Sequence, residues 1–302
     1  MKPWMCRYIG IAAMMLASHP AFASGVVVTI KPLHSLVAGV MEGDDIQPVV
    51  LVSGKESLHD FSLRPSQVKA LKEADVVFYI SPRFELFMDE VAASLPTHVR
   101  LAAMDKTSDL RKFPVRYREE HPHEEDHGKD NIDLHVWLWP DNAKAMVMEI
   151  ARQLAITYPN KRERYFANAR TLSDRLDAMF SDMEGRMVKL TGKPFVTFHD
   201  ALQYFDTYYH LQAVGAVTLH PEYGVSAKHV SELRETIKKT GAICVFREPQ
   251  FEGKVVDNLL QGLRVRSGMV DPEGALLAPG KEFYFQLMEG LASGLERCLL
   301  SS

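Results

Sequence analysis

Twelve histidines are spread through the 302 residues, and a few stand where an imidazole could act as a ligand. His59 lies in SGKESLHDF after the apolar run ending at Val52, and His135 precedes a helix start at Pro140. His199 directly follows the run PFVTF, and Asp271 directly follows the run ending at Val270. In an open parallel sheet, ligands collect outside the carboxyl ends of the strands, so these four positions are candidates for one shared site. Three imidazoles and a carboxylate suit a tetrahedral divalent cation, with zinc first by ligand type. Taken alone, each of the four reads more readily as a hydrogen-bonded structural residue at a strand end. Their conjunction points to a centre.

The remaining histidines divide. His121, His123 and His127 sit among Glu119, Glu120, Glu124, Glu125 and Asp126, a composition that can bind metal weakly as an accessory tract or be a plain solvated loop. His220, in TLHPEYG, is a further accessory candidate. His34 opens a helix in KPLHSLV and reads as a polar residue near a helix N-terminus, while His98, His210 and His229 read as surface or helix-end residues. Glu248, in FREPQF, also follows a strand, and a buried hydrogen-bonding role fits it better than ligation.

The elements that must position these groups alternate. Strands are predicted at 26–31, 46–52, 75–80, weakly at 98–101, and again at 194–198, 212–218, 242–247 and 264–270. Helices are predicted at about 33–41, 65–73 and 83–94. Apolar strands alternating with amphipathic helices argue for parallel sheets covered on both faces. A helical pattern runs from Pro140 to Tyr158, breaks at Pro159-Asn160 and resumes over about 161–190. That second stretch, roughly 40 Å long at 1.5 Å per residue, exceeds what one lobe needs. The expected fold is α/β: two lobes, each a mostly parallel sheet flanked by helices, joined by a long rigid connecting helix. The expected boundaries are a leader at 1–23, an N-terminal lobe at 24–140 with a His/acidic loop at 119–130, a helical connection at 141–190, and a C-terminal lobe at 191–302.

The leader is read from Lys2 and Arg7, the apolar residues 8–17 and the small-x-small sequence Ala21-Phe22-Ala23, the pattern of a secretory signal peptide cleaved after Ala23. Its two bases leave with it, taking the formal charge from −4 to −6 and disfavouring nucleic acid as a partner. Cys6 leaves as well. Cys244 and Cys298 remain in a compartment where disulfides persist; a bond between them is expected over two separate buried thiols, and would contribute about 4 kcal/mol by loop closure.

With these residues in hand, the chain resembles the periplasmic zinc-binding proteins of ABC importers, the ZnuA type. The resemblance covers essentially the whole chain after the leader and rests on IKPLHSLVAGVM, HDFSLRPSQVKAL, HVWLWPDNA, FHDALQYF, CVFREPQF and VDPEG, in that order. It implies a metal at the interface of two lobes, His59, His135 and His199 as ligands, and Cys244 and Cys298 as a disulfide. Asp271 matches a carboxylate that many relatives use. Leu58 stands where some zinc-branch members carry a glutamate, so the fourth position is open to Asp271 or a water.

The function this implies is capture of Zn2+ in the periplasm by a monomer that delivers it to an ABC permease for high-affinity uptake. Two alternatives differ in class. An exported zinc hydrolase would need a general base beside a metal-bound water; no HExxH helix occurs and Leu58 removes the nearest carboxylate, so an enzyme is not expected. A metal-binding adhesin or buffer could use the same scaffold.

Overall fold

The computed structural model describes residues 25–52, 54, 61–117, 131–218, 224–251 and 253–301. β1 (Val26–Val28), β2 (Val49–Val50), β3 (Val76–Tyr79) and β4 (Arg100–Ala103) form one sheet in the order β2-β1-β3-β4. β5 (Pro194–Thr197), β6 (Gln212–Ala216), β7 (Cys244–Arg247) and β8 (Arg266–Met269) repeat that order as β6-β5-β7-β8. All strand pairings are parallel. β1 and β3 are buried along their whole length, as strands covered on both faces must be. In each sheet the chain winds one way from the first strand and the other way from the third. The carboxyl ends of β1/β3 and of β5/β7 are therefore topological switch points.

α1 (Lys31–Val40), α2 (Pro65–Lys72) and α3 (Phe87–Ala92) accompany the first sheet; α6 (Gln203–Tyr208), α7 (Ala227–Thr240), α8 (Lys254–Leu260) and α9 (Phe283–Leu299) accompany the second. The helix expected at 83–94 begins only at Phe87. Its first residues form a turn instead, because the buried Glu85 carboxylate accepts hydrogen bonds from the Ile80 and Ser81 amides and the Thr29 hydroxyl. Capturing the ends of β1 and β3 in this way holds residues 80–86 against the sheet.

Between the sheets run α4 (Pro140–Thr157) and α5 (Arg162–Met187), linked by a 3-10 turn at Pro159–Lys161. The buried residues of α5 are Tyr165, Ala169, Leu172, Leu176, Phe180, Met183 and Met187, one stripe at helical spacing. With 26 residues it is about 39 Å long, and it packs on α1, α4 and α9, spanning both lobes. One apolar core runs continuously from the first sheet through α1, α4, α5 and α9 to the inner face of the second sheet. A smaller cluster, including Val196, Leu233, Ile237, Val245 and Val256, fills the outer face beneath α7 and α8.

A disulfide joins Cys244 at the start of β7 to Cys298 in α9, with Cα atoms 6.2 Å apart. β8 lies beside this bridge, and a Cβ on Gly268 would fall 2.9 Å from Cys298 Cβ and closer still to the Phe246 ring. Glycine is what lets α9 approach the sheet there. No helix of the described residues is long and apolar enough to cross a membrane.

Candidate metal centre

His135 belongs to a segment fixed before the 3-10 turn Val136–Leu138. Pro114 and Ile132 form an antiparallel bridge, and the Asp133 amide donates to Phe113 O at 2.9 Å. Asn142, in the first turn of α4, donates to the carbonyls of Arg111 and Val136 and accepts from the Arg111 amide. Asp133 Oδ1 then accepts from the His135 amide at 3.0 Å and from His135 Nδ1 at 2.7 Å. A carboxylate only accepts, so the proton is on Nδ1 and the Nε2 lone pair faces outward. The Phe84 ring stands edge-on to the imidazole at 5.4 Å.

His199 is placed by the second sheet. It follows β5, and Glu248 follows the neighbouring β7, so strand pairing alone brings the two together across 49 residues of sequence. Glu248 Oε1 accepts from the His199 amide at 3.2 Å and from Nδ1 at 2.7 Å. The two imidazoles, one from each lobe, face each other with Nε2 atoms 3.4 Å apart. At Zn–N bonds of 2.0–2.1 Å, a tetrahedral zinc holds two nitrogens about 3.3–3.4 Å apart. The pair therefore already has the bite of a tetrahedral ion, and each ring has the carboxylate backing that orients metal-ligating histidines.

Charge around the pair is strongly biased. Burial opposes protonation of His199, but Glu248, by charge and hydrogen bond, with Glu273 and Asp133, outweighs it and raises the imidazole to about 9. A proton on His199 Nε2 is then directed at His135 Nε2. Burial pushes Glu273 up to about 7, against the pull of His199 and His135 and with the push of Glu248 and Asp271. Asp271, half-buried after β8, is also raised by burial, against hydrogen bonds from Gln250 and from the Gly274 and Ala275 amides.

His59, His121, His123, His127 and His220 lie outside the described residues, as does the leader. Among the described residues, no three His, Cys, Asp or Glu side chains converge to hold an ion; His135 and His199 come together, and Asp271 stays hydrogen-bonded to Gln250 at 3.1 Å. Two further histidines have structural partners: the buried His34 donates from Nε2 to Pro48 O at 3.0 Å, and His229 donates from Nε2 to Ala216 O at 2.9 Å. Glu248 is buried and hydrogen-bonded, as its position after a strand suggested.

Three features escape sequence reasoning. Asp133 stands two residues before His135, a spacing that could have flagged it. Glu273 lies inside the VDPEG motif but drew no notice beside Asp271. Arg116 bridges the lobes: its guanidinium donates pairs of hydrogen bonds to Asp200, the neighbour of His199, and to Asp206 in α6. Nothing in the local sequence marks that last contact.

The family profile described as ZnuA, zinc-uptake complex component A, periplasmic, matches residues 26–298. The high-affinity zinc uptake system protein ZnuA of Brucella abortus (strain 2308) is 35% identical over 308 residues, which cover 91% of each chain. A solved structure of a ZnuA deletion mutant with zinc bound is similar with a TM-score of 0.76 at 22% identity, over 92% of this chain and 98% of that one. The laminin-binding adhesin Lmb of Streptococcus agalactiae is similar with a TM-score of 0.75 at 20% identity, over 91% and 98%. At these identities the two solved structures speak to the fold alone. The profile match over nearly the whole chain and the 35% relative carry the assignment: this chain belongs to the ZnuA family, zinc-uptake complex component A.

Proposed function

We propose that this chain is the periplasmic capture protein of an ABC importer for zinc. It binds Zn2+ between the lobes through His59, His135 and His199, with Asp271 or a water in the fourth position, and hands the ion to a membrane permease. The observation that carries this reading is the His135–His199 pair, whose Nε2 atoms stand 3.4 Å apart with each Nδ1 held by a buried carboxylate. Such a pair offers two preorganised soft donors. Asp133 and Glu248 balance part of the ion's charge without touching it.

Asp133 and Glu248 each hold one ligand ring through its Nδ1, a role that serves orientation of the donors. The chain works as a monomer with no nucleic-acid partner, and His121, His123, His127 and His220 supply at most weak accessory sites.

The test is a competitive titration of chelator-stripped protein against a chromophoric chelator, repeated with excess manganese. One tight zinc per chain that manganese does not displace, lost in His135→Ala and retained when His121, His123 and His127 are all replaced, is the expected result. Several weak ions, or displacement by manganese, would sink the proposal.

A further inference from the structure

The turn between β3 and α3 is built around a fully buried carboxylate, Glu85. Its Oε1 accepts from the Ile80 amide at 3.0 Å and from the Thr29 hydroxyl, and its Oε2 accepts from the Ser81 amide at 2.9 Å. A carboxylate accepts at both of its ends, which a side-chain amide cannot. Ile80 and Ser81 are themselves buried, so without Glu85 their amides would be left unsatisfied away from water.

Those bonds fix the turn on which Phe84 stands. The Phe84 and Glu85 amides both donate to Ser81 O at 2.9 Å, and Phe84 is buried. Its ring meets the His135 imidazole edge-on with centroids 5.4 Å apart and the Trp137 ring at the same distance, while His135 and Trp137 stand 5.3 Å from each other. All three separations lie in the range of favourable aromatic pairs. Asp133 restrains the His135 ring through Nδ1 alone. One hydrogen bond leaves a ring able to rock about it, and the close-packed Phe84 ring opposes that motion.

We propose that Glu85 is a positioning residue for metal capture: by pinning this turn it holds Phe84 against His135, keeps the imidazole facing His199, and so slows the departure of zinc. This rests on the zinc-capture reading above. Zinc leaves only as its nitrogen donors separate from it, and a ring that cannot swing aside keeps its donor in place for recapture. Glu85 acts through the turn and the Phe84 ring, not by ligation.

The experiment compares Glu85→Gln, Phe84→Leu, Val27→Ala and His135→Ala in the full mature chain by zinc competition titration, stopped-flow release of zinc to excess chelator, thermal melting and NMR of the histidine ring nitrogens. Glu85→Gln sets an amide nitrogen where an acceptor is needed, and Phe84→Leu keeps the carboxylate but loses the ring edge. Val27→Ala, in the buried β1, weakens the same lobe outside the turn. The expected result is that Glu85→Gln and Phe84→Leu each weaken zinc about 10–100-fold, the range typical of a group that orients a ligand, mostly through faster release. In the zinc-free protein both shift and broaden the His135 ring nitrogens, while those of His34 and His229 stay in place. Val27→Ala lowers the melting temperature but keeps wild-type affinity and release, and His135→Ala abolishes tight binding. If His135→Ala abolishes binding but either turn variant keeps wild-type affinity and release, or Val27→Ala shows an equal loss, the role of Glu85 is overturned and the centre stands. If His135→Ala binds as tightly as wild type, the centre itself is wrong, and the positioning role falls with it.

Discussion

The two imidazoles show how far a residue's chemistry depends on what touches its far side. His199 is raised to about 9 chiefly by Glu248 acting against burial, so at neutral pH a proton occupies the nitrogen that zinc needs. Apparent zinc affinity should therefore fall as pH drops below about 9, by up to tenfold per unit from this one proton, and more steeply below the ordinary histidine range near 6.5. In the zinc-free protein the sign for stability is opposite: a raised folded-state value stabilises fully below about 6.5 and is lost as pH rises through about 9. Glu248→Gln should move the onset of the affinity loss to lower pH and weaken binding about 10–100-fold; titrations from pH 9.5 to 6 would check both, and an unmoved onset would refute the role of Glu248. His199 was legible in the sequence because the strand-end rule needs only a strand and the residue after it, and His135 because it precedes the helix start at Pro140. Asp133, Glu248 and Glu273 were less so, since which carboxylate meets which nitrogen is decided by the pairing of β5 with β7 and by the docking of the loop after β8 on the other lobe.

Among elements, the strands were readable because β-branched runs buried on both faces leave a continuous apolar signal. The long helix was expected over about 161–190 and spans Arg162–Met187, with 3-10 turns at both ends. The turn before α3 was not readable: the 83–94 stretch has helical composition, and only the capture of Glu85 by the ends of β1 and β3 overrides it. Arg116 is a similar long-range device. It joins the segment ahead of His135 to the 3-10 turn and helix that follow His199, pairing with Asp200 and with the buried Asp206. Removing it strands two half-buried or buried carboxylates, so Arg116→Met should cost up to about 3–5 kcal/mol in urea unfolding where both carboxylates are charged and loosen zinc about tenfold by freeing His199. Burial holds Asp206 up at about 7 even beside Arg116, so without the arginine it should take up a proton more readily. The loss of stability should be largest above pH 7 and shrink as pH falls through about 7, and a pH-independent loss would argue that packing, not charge, is what Arg116 contributes.

For the whole molecule, the decisive fact is that the two sheets share one apolar core. Trp137, Tyr204, Phe205 and Tyr284 belong to the same buried cluster as the strands of the first sheet, and polar bonds cross the boundary beside them: Tyr284 Oη donates to Trp137 O at 2.5 Å, Tyr204 Oη to Asp133 O at 2.7 Å, and Lys31 to three carbonyls of the loop after β8. Opening the lobes like a hinge would expose that core and break those bonds together, whereas a loop or side-chain closure at the site would disturb neither. The lobes should therefore keep their relative placement when zinc binds, with backbone shifts of about 1 Å or less, so small-angle scattering of chelator-stripped and zinc-loaded protein should give the same radius of gyration. Lys31→Met should be the exception. It orphans three carbonyls at the lobe boundary, lowering the melting temperature and allowing the loop after β8 to exchange its amide hydrogens faster. Reducing Cys244–Cys298 should instead lower stability by about 4 kcal/mol with zinc affinity preserved, because the bond ties α9 to the start of β7 while the site lies beyond its other end. A change in scattering on zinc binding in the wild type, larger than that in Lys31→Met, would mean that the shared core yields and that capture proceeds by domain closure.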